Sequence, residues 1–301
     1  MMPNANAGRG KVLILLSTWN GTRYLTAQID SLLAQDVDGG IHILVRDDGS
    51  SDGTIDDIRN LGDPRIELVE GENLGARGSF FSLLRMAQAR DAEFVALCDQ
   101  DDVWRVDKLA RAIAMVGSEQ PALYASSLDL VDDNLASLGK YTHPGDRSFT
   151  ATLFVNFVTG CTCVMNRTFL QRLVFPQDDA AVLMHDWWLA SIATLGARIV
   201  YDPVSGIQYR QHAANHVGIR MGVGKIVEKG RSLMRRKSGP TRFDHAGQFL
   251  RAAENRMSDD QQLIVRDFLR TEHSRVRRMR FVRTHRLEID LPRKLLFVLF
   301  G

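Results

Sequence analysis

Short apolar runs alternating with helix-period segments constrain the fold of this chain more than any other feature. Val12–Leu16 is a run of five apolar residues, too short for a helix and typical of a strand buried on both faces. Ile41–Val45, Arg65–Val69 and Phe94–Leu97 read as the next three strands. Between them the spacing predicts a helix from Arg23 to Ala34 with Leu25, Ile29, Leu32 and Leu33 on one face, and a short helix over Asp56–Asn60. A further helix over Gly78–Ala89 turns Phe80, Phe81, Leu84 and Ala87 inward. Strand, helix, strand repeated in this order predicts an α/β fold, a mostly parallel, Rossmann-like sheet with right-handed crossovers and flanking helices. Farther along, a helix is expected through Val106, Leu109, Ile113 and Val116. Strands are expected near Ala122–Ser126, Val158–Met165, Ile199–Tyr201 and Ile207–Tyr209. Arg167–Leu173 and the stretch from His185 to about Leu195 read as helices, and residues 132–156 as a polar loop over the site.

The fourth strand runs into the sequence FVALCDQDDVW, Phe94–Trp104, which places Asp99, Asp101 and Asp102 directly after its last apolar residue. Like charges this close repel unless a cation or ordered hydrogen bonds hold them. The carboxyl ends of strands are where ligands bind in open α/β sheets. Asp-x-Asp brings two carboxylates within reach of one hard divalent ion, which takes oxygen ligands and shares them readily with a diphosphate. The plainer reading is a solvated acidic turn that caps the following helix.

With 301 residues, 45% hydrophobic and 25% charged, the chain has the composition of a soluble globular protein of one or two domains. The net charge of +2 is unevenly spread: residues 220–301 hold 20 Lys+Arg against 9 Asp+Glu, and the first 219 hold 18 against 27. A basic tail on an acidic body suggests an anionic surface or ligand for the tail. The three cysteines, Cys98, Cys161 and Cys163, lie in apolar contexts without a zinc spacing and read as reduced thiols of a cytoplasmic protein. The start, MMPNANAGRGK, lacks the apolar core of a leader, and no apolar run is long enough to span a membrane.

Glycine-rich nucleotide signatures are missing. After the first strand stands S-T-W-N-G rather than G-x-G-x-x-G, and Gly224-Lys225 lacks the flanking residues of a P-loop. The Asp48–Gly53 stretch faintly resembles a calcium loop, but Arg59 occupies the position of the closing Glu. A bound nucleotide would therefore be held by carboxylates and a cation rather than by a glycine cradle.

Five motifs in order carry a family resemblance: S-T-W-N-G after strand one, V-R-D-D-G-S-S-D-G-T after strand two, N-L-G-x-R, C-D-Q-D-D-V-W, and H-D-W-W followed by Y-R-Q-H-x-x-N. Together they resemble the family-2 glycosyltransferases of the GT-A fold, and are most similar to bacterial rhamnosyltransferase-like members. The resemblance covers about Lys11–Gly218. It implies a nucleotide-sugar donor (a dTDP- or UDP-sugar), a Mg²⁺ or Mn²⁺ ion, and inverting transfer to a glycan or lipid-linked glycan. The domains expected are a disordered start over 1–10, a catalytic domain over 11–218 and a basic helical extension over 219–301.

Site residues follow from the same resemblance. Ser17 and Trp19 match nucleotide-contacting positions, with Trp19 serving equally well as packing. Asp48 matches the carboxylate that accepts from the N3–H of uracil or thymine, with Asp47 its neighbour and competitor and turn chemistry the plainer role of both. Arg77 falls where a basic side chain meets base or phosphate. Asp99 and Asp101 form the Asp-x-Asp pair at the donor and metal, and Asp102 caps the next helix. His212 is a third metal ligand or diphosphate contact, with His216 its competitor, and Arg210 is a phosphate partner.

Asp186 is the expected catalytic base, because inverting transfer needs one carboxylate to take the acceptor hydroxyl's proton and no carboxylate nucleophile. Trp187 and Trp188 offer apolar faces to the acceptor; helix capping and core packing are the plainer roles of this triplet. A sugar-phosphate nucleotidyltransferase would want a Gly- and Arg-rich loop after strand one, and a non-catalytic sugar-binding module would not need both the Asp pair and Asp186.

In the tail, Leu263, Ile264, Phe268 and Leu269 keep helical spacing. Arg275, Arg277, Arg278, Arg280, Arg283 and Arg286 crowd together before LPRKLLFVLFG. Such a segment either packs on the catalytic domain or a homodimer partner, or attaches peripherally to the anionic inner face of a membrane. It carries no nucleic-acid motif and few interleaved aromatics, so nucleic acid is not an expected partner.

Overall fold

A computed structural model describes residues 12–143, 145, 147–212, 239–285 and 291–300. The first strand, β1 (Val12–Thr18), is followed by α1 (Thr22–Leu33), β2 (Ile41–Asp47), α2 (Thr54–Leu61), β3 (Ile66–Glu70), α3 (Gly75–Gln88) and β4 (Phe94–Cys98). This is the predicted alternation, and β4, β1, β2 and β3 pair in parallel. The unbroken apolar run of β1 is explained by burial on both faces. Leu13 and Leu15 enter one core with α3, while Val12, Ile14 and Leu16 enter a second core with Leu25, Ile29 and Leu32 of α1. Each such side chain contributes about 1.5–3 kcal/mol on burial.

The second half is less regular than expected. Next come β5 (Val103–Trp104), α4 (Lys108–Val116), β6 (Ala122–Ser126), β7 (Leu128–Val131), β8 (Ser137–Tyr141), α5 (Phe149–Thr152) and β9 (Val164–Asn166). The expected loop over 132–156 thus contains a strand and a helical turn, because β8 pairs antiparallel with β7. The strand expected over Val158–Met165 is mostly a 3-10 turn at Gly160–Thr162, and only its end joins the sheet. There β9 lies antiparallel between β4 and β6. Val106 is exposed and precedes α4 rather than lying on its inner face.

The chain continues through α6 (Arg167–Arg172), α7 (His185–Ala193), β10 (Arg198–Asp202) and β11 (Ile207–Arg210). The main sheet has the order β10-β6-β9-β4-β1-β2-β3, and a smaller one the order β5-β11-β7-β8. The smaller sheet returns β11 beside β5, directly after the three aspartates.

The basic tail forms α8 (Arg242–Ala253), α9 (Asp259–Leu269), α10 (Arg275–Thr284) and α11 (Leu291–Phe300). Capping boxes at Thr241 and Ser258 start the first two. Phe249, Phe268, Phe281 and Phe297 are buried in the same core as Phe154 and Trp188, with Phe154 packing edge-on to Phe268 and Phe297. Among the described residues, no helix is long and apolar enough to cross a membrane.

Candidate active site

The S-T-W-N-G turn is built by side chains that tie β1 to its neighbours. Ser17 Oγ donates to Ser79 Oγ at 2.7 Å, and Thr18 Oγ1 to Asp47 Oδ2 at 3.1 Å. Asn20 takes a left-handed φ of 47°, and its Oδ1 accepts from Ser51 N–H at 2.8 Å. Gln100 reaches across from the end of β4: its Oε1 accepts from Trp19 N–H at 2.8 Å and its amide donates to Trp19 O at 3.0 Å. A Cβ at Gly21 would stand 2.4 Å from Gln100 Oε1, so a larger residue there would push the Gln100 amide off the Trp19 backbone. What this zipper leaves outside is the Trp19 ring, 50% exposed at the mouth of the cleft. An indole held by its backbone and open on its face can stack on a base.

The turn after β2 uses both aspartates. Asp47 is buried, and its carboxylate accepts from Gly49 N–H, Ser50 N–H, Ser50 Oγ and Thr18 Oγ1. Asp48 Oδ1 pairs with Arg46 and accepts from Leu74 N–H at 2.8 Å. Asp47 is therefore the turn-former, and Asp48 joins this turn to the start of α3. Arg77, on α3, donates to Val182 O at 2.6 Å and ties α3 to the segment before α7.

Asp99, Asp101 and Asp102 diverge after β4. Asp102 does not cap α4, whose N-cap is Asp107. It is buried instead: Oδ1 accepts from Arg210 N–H at 3.1 Å, and the carboxyl lies against the Cys161 thiol. Burial, then the charges of Asp101 and Asp99, push its carboxyl well above the usual range. Beneath it lies Lys108, fully inside, with its ammonium 3.4 Å from the centre of the Trp104 ring. Burial lowers that amine to about 8. The three cysteines are buried free thiols.

Asp101 Oδ2 lies 2.7 Å from His212 Nε2, and the imidazole stacks on Tyr24 with ring centres 5.1 Å apart. Tyr24 is fixed by its hydroxyl, which donates to Asp133 Oδ1 at 2.9 Å. Arg210 departs from its expected role. Only 4% exposed, it donates from Nε to Asp101 O at 2.8 Å and from Nη1 to Asp133 O, and lies over the Tyr24 ring. It is a strut that holds the acidic turn against the β7–β8 hairpin. His216 lies outside the described residues.

Asp186 opens α7 at the edge of the same cleft, 9% exposed. Its Oδ2 accepts from Gly160 N–H at 3.0 Å and its Oδ1 from Trp187 N–H at 2.7 Å. Burial raises its carboxyl to about 6, against the hydrogen bonds of Trp187, Asn156 and Gly160. Burial, then the charges of Asp101 and Asp186, raise Asp99 to about 7. Asp99 therefore feels the charge of Asp186.

The tryptophans after Asp186 differ from expectation. Trp188 is fully buried, its Nε1–H donating to Val174 O at 2.8 Å and its ring edge-on to Phe249. It is core, and no acceptor can reach its face. Trp187 is half-buried, with Nε1–H on Thr152 O at 2.6 Å and its ring tilted against His245. Gly160, Gln100 and Tyr24 were not singled out from the sequence as site residues. Of these, only Gly160 gave a signal, as a glycine inside an apparent strand.

Asp101 and His212 lie against each other, and carboxylate and imidazole are donors that a hard divalent cation accepts. Among the described residues, the grouping whose ligand atoms lie within 4.8 Å of one another is Asp99, Asp102 and Cys161. It suits such an ion less, because burial raises the Cys161 thiol far above neutrality and keeps it protonated.

An open, mostly parallel sheet that gathers Asp99, Asp101 and Asp102 after one strand has them where ligands bind in α/β proteins. The model of glycosyl transferase family 2 matches residues 13–174, and the chain belongs to that family. It is 31% identical over 167 residues to the UDP-Glc:alpha-D-GlcNAc-diphosphoundecaprenol beta-1,3-glucosyltransferase WfgD of Escherichia coli, a match over 55% of this chain and 64% of that enzyme. Against the dTDP-rhamnosyl transferase RfbG of Shigella flexneri the identity is 28% over 238 residues, 74% of this chain and 80% of that one. S. aureus TarS 1-349 in complex with UDP-GlcNAc superposes with a TM-score of 0.59 over 88% of this chain and 74% of that chain, at 15% identity. The fold is thus GT-A.

Proposed function

We propose that the chain transfers a sugar, with inversion, from a nucleotide-sugar donor to a glycan hydroxyl, with Asp186 as the base. The observation that carries this reading is the Asp186 carboxyl itself. It is raised to about 6 by burial, oriented by two backbone N–H groups, and close enough to Asp99 for their charges to interact. A base in that range is largely ionised at neutral pH and still accepts a proton as the acceptor oxygen attacks. Trp19 stacks on the base of the nucleotide at the mouth of the cleft. Asp99, Asp101 and His212 would hold a Mg²⁺ or Mn²⁺ ion, which when bound supplies charge neutralisation for the leaving diphosphate. Trp187 and the residues around it exclude water from the attacking hydroxyl.

The donor proposed is dTDP-L-rhamnose, on the motif resemblance and the likeness to RfbG; UDP-glucose is the alternative, on the likeness to WfgD. The acceptor proposed is a lipid-linked glycan in polysaccharide assembly, which puts the enzyme at the cytoplasmic face of the membrane. The test is release of nucleoside diphosphate from a panel of dTDP- and UDP-sugars, with and without Mn²⁺. Release from one donor, dependent on Mn²⁺ and lost in Asp186→Asn, is the expected result. No release together with no donor binding would overturn the reading.

A further inference from the structure

The two last helices share an unusual composition. Between them, α10 and α11 carry seven basic residues, Arg275, Arg277, Arg278, Arg280, Arg283, Arg293 and Lys294, and no acidic one. Their inner faces are accounted for. Phe281 and Phe297 are buried and meet with ring centres 6.1 Å apart, and Arg278 is folded under, donating to the carbonyls of Thr271 and Glu272. Their outer faces mix these basic residues with exposed apolar ones, where solvent-facing helices are normally polar throughout. Leu291, Leu295 and Leu299 follow one another at i, i+4 and i+8, opposite Phe297, and each is exposed, Leu291 to 68%. On α10, Val276 is 70% exposed and Met279 is exposed beside it. Phe281 and Phe297 both pack on Phe154 and Phe268 of the core, and the leucine stripe, Val276 and Met279 are left to solvent.

We infer that α10 and α11 form a surface that docks on an anionic phospholipid bilayer, the leucine stripe entering the interface and the arginines meeting headgroup phosphates. This deepens the membrane placement proposed above and does not depend on the transfer chemistry. Charge chooses the occupant. A second copy of the chain would bring two arginine-rich faces together with no acid on either helix to offset them, and like charges brought together are unfavourable. A bilayer with acidic lipids offers the opposite charge over a wide area, and apolar side chains flanked by arginine suit its headgroup–acyl boundary. The fold also provides a seat for a headgroup. A cavity of about 480 Å³ between α9 and α10 is lined by Arg270, Arg277, Arg280, Thr271 and Thr284. Asp267 in the same wall is paired with Arg270 and His285.

The test is co-sedimentation of the full chain with vesicles of phosphatidylcholine and phosphatidylglycerol (7:3), against pure phosphatidylcholine, at 50 and 500 mM NaCl. The expected result is binding to the acidic vesicles at low salt, at least tenfold weaker on neutral vesicles or at high salt. Arg275→Gln/Arg280→Gln/Arg283→Gln should weaken binding about a hundredfold, roughly fivefold per arginine. Leu295→Ser/Leu299→Ser should weaken it at least tenfold. All five side chains are exposed, so melting temperatures and donor binding should stay at the wild-type values. Wild-type protein remaining in the supernatant, equal binding to neutral vesicles, or an unaffected leucine variant would overturn the inference. So would a stable dimer in sedimentation velocity that the leucine variant dissolves.

Discussion

Asp186→Asn should separate activity from stability in opposite directions. Ionising Asp186 in the folded chain is disfavoured by about 3 kcal/mol, since its carboxyl is raised from 3.8 to about 6 and each pH unit corresponds to about 1.4 kcal/mol. A folded-state pKa above the unfolded one means that the folded chain holds the proton more tightly. The contribution of Asp186 to wild-type stability is therefore greatest below about pH 4, and about 3 kcal/mol of it is lost as pH rises past 6. Asparagine does not titrate, so the variant escapes that loss. It has its own cost, because one carboxamide oxygen cannot accept from both Gly160 N–H and Trp187 N–H, and the donor left facing the amide costs about 1–3 kcal/mol. The balance makes Asp186→Asn equal to wild type or up to about 2 kcal/mol more stable at pH 7.5, and less stable near pH 4.

Urea titrations at the two pH values read that crossover. Turnover should fall by about 10²–10⁴-fold with donor affinity kept, the size of a general-base contribution. Ionisation of Asp186 alone should lower wild-type kcat/KM about tenfold by pH 5, where only about a tenth of it is ionised, and the variant's residual rate should lack this step. A variant that loses stability equally at both pH values would refute the raised ionisation. One that keeps more than a tenth of its turnover would refute the base.

Asp101→Asn and His212→Ala should each weaken Mn²⁺ binding at least tenfold in calorimetry with the circular dichroism spectrum unchanged; wild-type affinity in both would remove the pair from the cation site. Trp19→Ala should weaken donor binding by about fivefold to a hundredfold, the range for one stacked base, without moving the melting temperature, because the ring is half exposed and unpacked. Trp188→Ala should lower stability by about 3–5 kcal/mol in urea, as expected for a buried ring and not for one that waits for a sugar.

The fold was legible where each strand is buried on both faces. Val12–Leu16 and Phe94–Leu97 could only be inner strands, and the helices between them carry one-sided apolar spacing. The region after Asp102 resisted because its structure is decided by partners remote in sequence. Trp104 N–H is claimed by Ser31 Oγ and Ile207 pairs with Trp104, so the chain extends into β5 before α4 begins. Periodicity sees neither contact. In the site, residue identity gave the Asp-x-Asp stretch and Asp186. It could not divide H-D-W-W into a base, a half-buried ring and a core ring, since that depends on which side of α7 meets α8. Arg210 shows the same limit. A guanidinium suits phosphate and backbone carbonyls alike, and only the return of β11 beside the acidic turn commits it to Asp101 and Asp133.

The electrostatics of the cleft lead to a last expectation. Asp99, Asp102 and Asp186 are all raised, with burial first in each case, and Asp99 is raised further by Asp101 and Asp186. With Asp99 at about 7, roughly three-quarters of its carboxyls carry a proton at pH 6.5 and only about a tenth at pH 8. A divalent cation at Asp99 and Asp101 needs ionised ligands, so its binding must expel that proton. Mn²⁺ titrations in two buffers of different ionisation enthalpy should therefore report about 0.8 proton released per ion at pH 6.5 and close to 0.1 at pH 8. Asp99→Asn should abolish the buffer dependence even where some binding remains. Identical heats in the two buffers at pH 6.5 would mean that Asp99 is already ionised, and the proton-linked binding of the cation would fall with it.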